Sequence, residues 1–429
     1  MIGKRIAVIG AGIVGCATAL RLTDEGFAVT VFDPDSPGAN TSSGNAGVIS
    51  TGGITPNATP GLVRSLPAMA LDSQGDGWIR RGDMLRSLPW LRRMVAVSQI
   101  SEVRRIAAAM HPLVAGALDA HRRLAVRAGR PDLITVGGWM KVYGSAAAFA
   151  AAALDRELMT EHGVDLLLLN AQQLRDRLPN VDRAALHAAV HQPGAGLAAN
   201  PQALSAAYLE AAIATGAEHR RERIIRAAAE AGGVTCETEK SKERFDRLVV
   251  CAGARSAEIA AWFGDRALLV AERGYHAQFP VGTAALIPGP TYFSTLGFVL
   301  SPMARGLRLT MGAELSRPGA PRDYRRLNAK IETARKVVRA LGSIEPGRWM
   351  GERPSTPDTL PVIGRSPRAP AVCYAFGHGH LGLTMAATTA DLVARILTDR
   401  TAPDAAACSI ERFDRRAGRN SSVVERTEN

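Results

Sequence analysis

Apolar and polar positions change period several times along this chain. Arg5 to Ile9 is a short apolar, β-branched run that predicts a strand, and glycines follow at once. Cys16 to Glu25 has helical spacing, and Ala28 to Phe32 predicts a second strand, so the first 33 residues read as one βαβ unit. Residues 36 to 61, rich in Gly, Ser, Thr, Asn and Pro, predict a long loop, and loops of that length in compact domains are usually functional. From 83 to 128 apolar residues recur at i, i+3 and i+4 and predict helices. Residues 133 to 143 predict a strand pair around Gly137 and Gly138, Ala146 to His162 a helix, and Leu166 to Leu169 a buried strand. Pro201 to Ala214 predicts a helix with Pro at its start and Gly216 beyond its end. Leu248 to Val250 predicts a third buried strand, and alternation over 269 to 312 predicts an antiparallel sheet. A basic amphipathic helix over 325 to 341 and a Gly-rich turn at 377 to 382 opening a helix from Leu383 to Leu397 complete the pattern.

Composition narrows the classes. With 46% hydrophobic and 21% charged residues among 429, the chain is neither disordered, collagen-like nor a small disulfide scaffold. The net charge of +12 invites a nucleic-acid reading, but the arginines are scattered, without a run of like charges or interleaved aromatics. No nucleic-acid partner is expected; a basic face resting on anionic lipid is the surviving use of the charge. Five cysteines, odd in number and without a CxxC pair, suggest a reducing compartment. No secretory leader and no 18-residue apolar run is visible, so the expected location is cytoplasmic, at most peripheral on the inner face of the cell membrane.

Gly10-Ala11-Gly12-Ile13-Val14-Gly15 fits GxGxxG between a strand and a helix, and Asp33 ends the next strand. That is the full dinucleotide fingerprint. Gly10 makes the turn, Gly12 lets backbone N–H groups approach a pyrophosphate, Gly15 lets helix pack on strand, and Asp33 accepts from ribose hydroxyls. The fingerprint serves NAD or FAD. Its N-terminal position, with a second strand-to-glycine turn at Val249 to Ala254 carrying Ala252 and Gly253, favours FAD. The loop Ser42-Ser43-Gly44-Asn45-Ala46-Gly47 could wrap the middle of such a cofactor.

Longer stretches carry a resemblance. Besides GAGIVG at 10–15, they are SSGNAGVIS at 42–50, ERGYH at 272–276, GLRLTMGAE at 306–314, GERPSTPDTLPVIG at 351–364 and YAFGHGHLGLTMAATTADLVARIL at 374–397. Over nearly the whole chain to about residue 400, the sequence resembles the D-amino-acid oxidase-like flavoprotein superfamily. Within it the chain is most similar to bacterial D-amino-acid dehydrogenases of the small-subunit type and their D-hydroxyproline dehydrogenase relatives. The resemblance implies an α/β fold: a Rossmann-like FAD-binding domain interrupted by an α+β substrate domain with an antiparallel sheet. Residues 1–80, 195–265 and 346–415 fall to the FAD-binding domain, 81–194 and 266–345 to the substrate domain, and 416–429 to a polar tail. It further implies oxidation of a D-amino or D-imino acid at its α-carbon by hydride transfer to flavin N5, the imine then hydrolysing to a 2-oxo acid and ammonia. The expected partners are that small substrate, D-alanine-like or cis-4-hydroxy-D-proline, and a quinone or other electron carrier.

By the same resemblance, Ser42 to Gly47 lies along the pyrophosphate and flavin, and Ile224, in an Arg223–Ile224 strand, lies at the adenine. Gly379, His380, Leu381, Gly382, Leu383 and Thr384 would press a helix N-terminus against the pyrimidine edge of the flavin, where reduced flavin gathers negative charge. Arg353 takes the GxRP-like position beside the flavin, and arginine offers the planar fork that grips a carboxylate. Arg308, a strand residue, is a second candidate or a structural one; Tyr275 could cap the carboxylate or simply pack. Of the two histidines flanking Gly379, His378 is favoured to face the substrate and His380 to pack. No metal site is expected, since His-x-His here has no further ligand at the right spacing. The stretch 351–364 holds no Cys, so FAD is expected to be non-covalent. A glycine- or sarcosine-type amine oxidase using oxygen, an NAD(P)-dependent reductase and a basic binding protein are the competing readings.

Overall fold

The computed structural model describes residues 3–61 and 77–414. A six-stranded sheet carries Glu218–Arg220, Ala28–Phe32, Arg5–Ile9, Arg247–Val250, Val372–Phe376 and Val362–Arg365 in that order. The first five strands run parallel and the last is antiparallel. Parallel strands covered on both faces read as continuous apolar runs, and Ile6, Val8, Val29, Val31, Val249 and Val250 are all buried. The helices Ile13–Asp24, Pro201–Ala214 and Gly382–Leu397 lie together on one face.

A second sheet orders Trp349–Ser355, Val270–Gln278, Gly306–Ser316, Phe298–Met303, Thr291–Phe293, Trp139–Tyr143, Ala188–Gln192 and Leu167–Asn170, with Gly77–Ile79 added beside Gly306–Ser316. The antiparallel sheet expected over 269 to 312 forms its centre. The whole is mixed, because Thr291–Phe293 joins Trp139–Tyr143 in parallel. Side chains alternate across it. Met140, Val142, Phe293, Phe298, Leu300 and Leu309 enter a core beneath the Arg325–Val337 helix, whereas Lys141, Tyr292, Val299 and Thr310 face the first sheet.

Several local expectations shift. The strands Thr135–Val136 and Trp139–Tyr143 exist but do not pair with each other: the former joins Gly196–Leu197, the latter Ala188–Gln192. The segment read as a buried strand is the edge strand Leu167–Asn170, whose Leu167 and Leu168 are exposed. The helix read over 146 to 162 is two, Ala146–Ala151 and Ala153–Glu161. Arg223 and Ile224 lie in a connection between Glu218–Arg220 and Arg226–Glu230, not in a strand. Trp349–Ser355, grouped above with the third FAD-binding segment, hydrogen-bonds into the second sheet. The polar tail lies outside the described residues. Among the described residues no helix is long and apolar enough to cross a membrane, and no cluster of His, Cys, Asp and Glu could hold a metal ion.

Candidate active site

Between the sheets lies a cavity of about 2000 Å³. That exceeds the usual range of small-molecule sites, roughly 300–1,000 Å³, and leaves room for a dinucleotide together with a small substrate. Its wall begins at the glycine turn. Gly10 holds φ +105°, and a Cβ there would stand 2.4 Å from the Cys251 carbonyl oxygen; one on Gly15 would stand 1.8 Å from the Gly10 oxygen. Helix and strand therefore meet only without side chains at these two positions. At Gly12 a Cβ would meet nothing closer than Ser42 Oγ at 3.5 Å, so no protein atom demands glycine there. The open space above Gly12 is what an approaching pyrophosphate requires. Ser42 Oγ accepts from the Ile13 N–H at 3.0 Å and so covers one unpaired donor of the helix start. The Asp33 carboxylate accepts from the Ala11 N–H at 2.7 Å and the Asp35 N–H at 3.0 Å, and stands on the cavity wall beside Val14.

The same wall gathers Ile224, Ala252 and Gly253 at the nucleotide end, then Gly44, Asn45 and Ala46, and finally Gly379 to Thr384. Gly379–Leu381 forms a 3-10 turn running into the Gly382–Leu397 helix. Thr384 ties this helix start to the long loop: its Oγ1 donates to Val48 O and accepts from the Ser50 N–H, both at 3.2 Å. Ser43 and Gly47 do not reach the cavity wall. The Ser43 hydroxyl donates back to Ala39 O and Asn40 O, and Gly47 packs against the Ala198 carbonyl with φ +78°.

The four candidates for chemistry separate clearly. Arg353 lies on the wall, and its Nη1 donates to Glu272 Oε1 at 3.1 Å and to Gly312 O at 2.9 Å. The close approach requires Gly274, whose Cβ would sit 2.3 Å from Arg353 Nη2. Arg308 is off the wall: its Nη1 donates to Ser43 O at 2.7 Å and Asn45 O at 2.8 Å, clamping the 42–47 loop from behind. Burial pulls its guanidinium down to about 10. Tyr275 is also off the wall, its hydroxyl donating to Glu314 Oε2 on the far face of the strand.

Both histidines, His378 and His380, touch the cavity wall. The His378 ring is almost fully buried and its Nε2 meets Thr389 Oγ1 at 3.0 Å; burial lowers its pKa to about 3, so it is neutral. His380 lines the same cavity two residues on. Burial lowers its pKa, the Arg353 charge acts in the same direction, and Glu272 acts in the opposite one.

Two positions at or behind the wall escaped the sequence reading. Glu272 is buried yet on the wall, accepting from Arg353 and, at 2.9 Å, from Ser355 Oγ. His121 is buried with Nε2 at 2.7 Å from Leu383 O and Nδ1 at 2.9 Å from the Tyr208 hydroxyl. Burial lowers its pKa to about 4; with the carbonyl able only to accept, the neutral ring donates from Nε2 and braces the cavity-facing helix start.

The family described as DAO, FAD dependent oxidoreductase, matches residues 5–396. The chain belongs to this family. It is an FAD-dependent oxidoreductase of the DAO fold. A D-amino-acid oxidase of Bradyrhizobium diazoefficiens is 33% identical over 93% of this chain and 96% of its own length. D-amino acid dehydrogenase 2 of Ralstonia nicotianae is 29% identical over 94% of this chain and 98% of its own length. Among solved structures, glycine oxidase from Geobacillus kaustophilus superposes with a TM-score of 0.75 at 19% identity, covering 96% of this chain and 100% of that one, a likeness of fold. The residues present fit FAD: the space above Gly12, the carboxylate of Asp33 and the braced helix start at Gly382 all face one continuous cavity.

Proposed function

We propose that this DAO-family protein oxidises a small D-amino or D-imino acid, D-alanine-like or proline-like, to the imino acid. Bound FAD supplies the two-electron acceptor. The observation that carries the reading is Arg353 on the cavity wall: with Nη1 fixed by Glu272 and Gly312 O, its Nη2 and Nε have no hydrogen bond among the described residues. A guanidinium pre-oriented with donors unused is what a bidentate carboxylate clamp needs. Arg353 would hold the substrate carboxylate while the 42–50 loop, clamped by Arg308 and Thr384, and the helix start braced by His121 keep the cofactor's place rigid. Both named relatives support an amino-acid substrate, one being a D-amino-acid oxidase and the other a D-amino acid dehydrogenase. Non-covalent attachment is supported by the cysteines: all five are buried, and burial holds Cys251, the one on this wall, far above an ordinary thiol. Anaerobic addition of single D-amino acids to the purified holoprotein tests the reaction: the flavin band near about 450 nm bleaches with a D-substrate.

A quinone or other carrier is the proposed electron acceptor, reached from the inner membrane face. The Met84–Ala96 helix supports this placement. Its outer face exposes Met84, Leu85 (85% exposed), Leu88 and Val95, and Arg86 and Arg92 on it have no ion pair among the described residues. Apolar side chains flanked by free cations match an anionic lipid surface. Vesicles containing anionic lipid should pellet the protein at low salt, and replacing Leu85 and Arg92 together by Glu should abolish it. Equal pelleting of the substituted protein removes this face from the account.

A further inference from the structure

Glu272 and Arg353 are direct cross-strand partners on adjacent antiparallel strands, and both face the cavity. The carboxylate has four lone-pair directions. Two are taken, one by Arg353 Nη1 and one by Ser355 Oγ, which leaves acceptor capacity toward the cavity. One neighbouring charge is committed elsewhere. Glu352, the neighbour of Arg353, turns its Oε1 to Arg273 Nη2 at 3.1 Å and the Gly319 N–H at 3.0 Å. Burial lowers the pKa of His380, Arg353 acts in the same direction and Glu272 against it. Glu272 and Arg353 thus stand side by side on one cavity wall, each with hydrogen-bonding capacity unused among the described residues.

A half-buried ion pair such as this is a poor device for stability, because taking charge out of water offsets much of the attraction. As a recognition device it is well matched to a zwitterion, whose two opposite charges hang from one carbon. We propose that Glu272 is a specificity-determining residue that receives the α-ammonium (or the ring nitrogen of an imino acid) while Arg353 receives the α-carboxylate. The four charges then alternate in sign around the substrate, and a plain carboxylic acid fills only half of the clamp. This rests on the function proposed above and assigns the amine end of the same site. Ser355, through its hydroxyl on Glu272, is a positioning residue.

The test pairs ligands that differ only in the amine: D-alanine against propanoate, and D-proline against cyclopentanecarboxylate. Binding to the holoprotein is read from the perturbation of the flavin spectrum, separately from bleaching. In Glu272→Gln, where the amide oxygen can still accept from Arg353, the amino acid should bind roughly tenfold or more weakly, the loss expected when a hydrogen bond to a charged group goes. The carboxylic acid should bind as before or more tightly, since an anion beside Arg353 has gone. Equal weakening of both ligands would show that Glu272 acts only by holding Arg353, and unchanged amino-acid binding would show no role at all; either overturns the proposal. Ser355→Ala, which keeps the carboxylate and frees one tether, should weaken the amino acid alone by a few-fold, and decides the matter if Glu272→Gln does not fold. An unsubstituted protein that binds D-alanine without bleaching would refute the proposed oxidation and leave the clamp standing.

Discussion

Replacing Arg308 by Ala separates a residue that builds the cofactor site from one that touches substrate. Its Nη1 holds the carbonyls of Ser43 and Asn45 at 2.7 and 2.8 Å from behind the loop, and at a pKa of about 10 the group is still charged at neutral pH. Each hydrogen bond from a charged donor is worth about 1.5–3 kcal/mol. The loop keeps other ties, Ser42 Oγ to the Ile13 N–H and Thr41 Oγ1 to Glu352 O, so the net loosening should equal about one such bond. A loop that is competent only part of the time weakens apparent affinity by the fraction lost. A loss of about 1.5–3 kcal/mol therefore predicts FAD binding roughly 10- to 150-fold weaker. Titrating FAD into apoprotein and following quenching of its fluorescence reads this directly, and saturating FAD should restore a nearly unchanged KM for the amino acid. An Arg308→Ala protein that binds FAD normally while its KM rises would refute the clamp and return Arg308 to the substrate.

Arg353→Ala should raise KM by a factor of about 100 or more at full FAD occupancy, as expected for loss of a charge-assisted bidentate contact; unchanged steady-state kinetics would remove it from the site. His378 gives a pH test. Its folded pKa of about 3 lies below the unfolded value near 6.5, so the folded state gains nothing from its protonation there, and stability is full above about pH 6.5 and lost as pH falls toward 3. Between pH 7 and 5 the native protein should lose about 2 kcal/mol through this group, and His378→Asn should lose about that much less in urea unfolding; identical losses in both proteins would contradict the burial argument.

The nucleotide end of the site was legible because its signals are local. The spacing of Gly10, Gly12 and Gly15 and the strand ending at Asp33 all lie within 33 residues, and the cavity wall contains each of them except Gly15, whose work is helix packing. The substrate end depends on which face of a strand a side chain takes. In Val270–Gln278, Glu272 points to the cavity, whereas Arg273 and Tyr275 point to Glu314 on the other side. ERGYH by itself fixes no such parity, and an irregularity between Arg273 and Tyr275 perturbs it further. Tyr275, with its hydroxyl, was therefore the natural choice and Glu272 passed unseen. His121 was hidden for another reason: its partners, Tyr208 and Leu383, are 87 and 262 residues away. The helix that carries it predicts burial, and nothing in the pattern predicts what it braces.

The central claim is that one cavity brings the glycine turn, Arg353 and the His380 loop around a single flavin that an amino acid reduces. An anaerobic absorbance spectrum, taken before and after adding a panel of small D-amino acids, addresses it directly. The account predicts a yellow protein whose band is lost with at least one D-amino acid and kept with the matching carboxylic acid. A protein that stays colourless after reconstitution with FAD, or keeps its colour with every member of the panel, would contradict it.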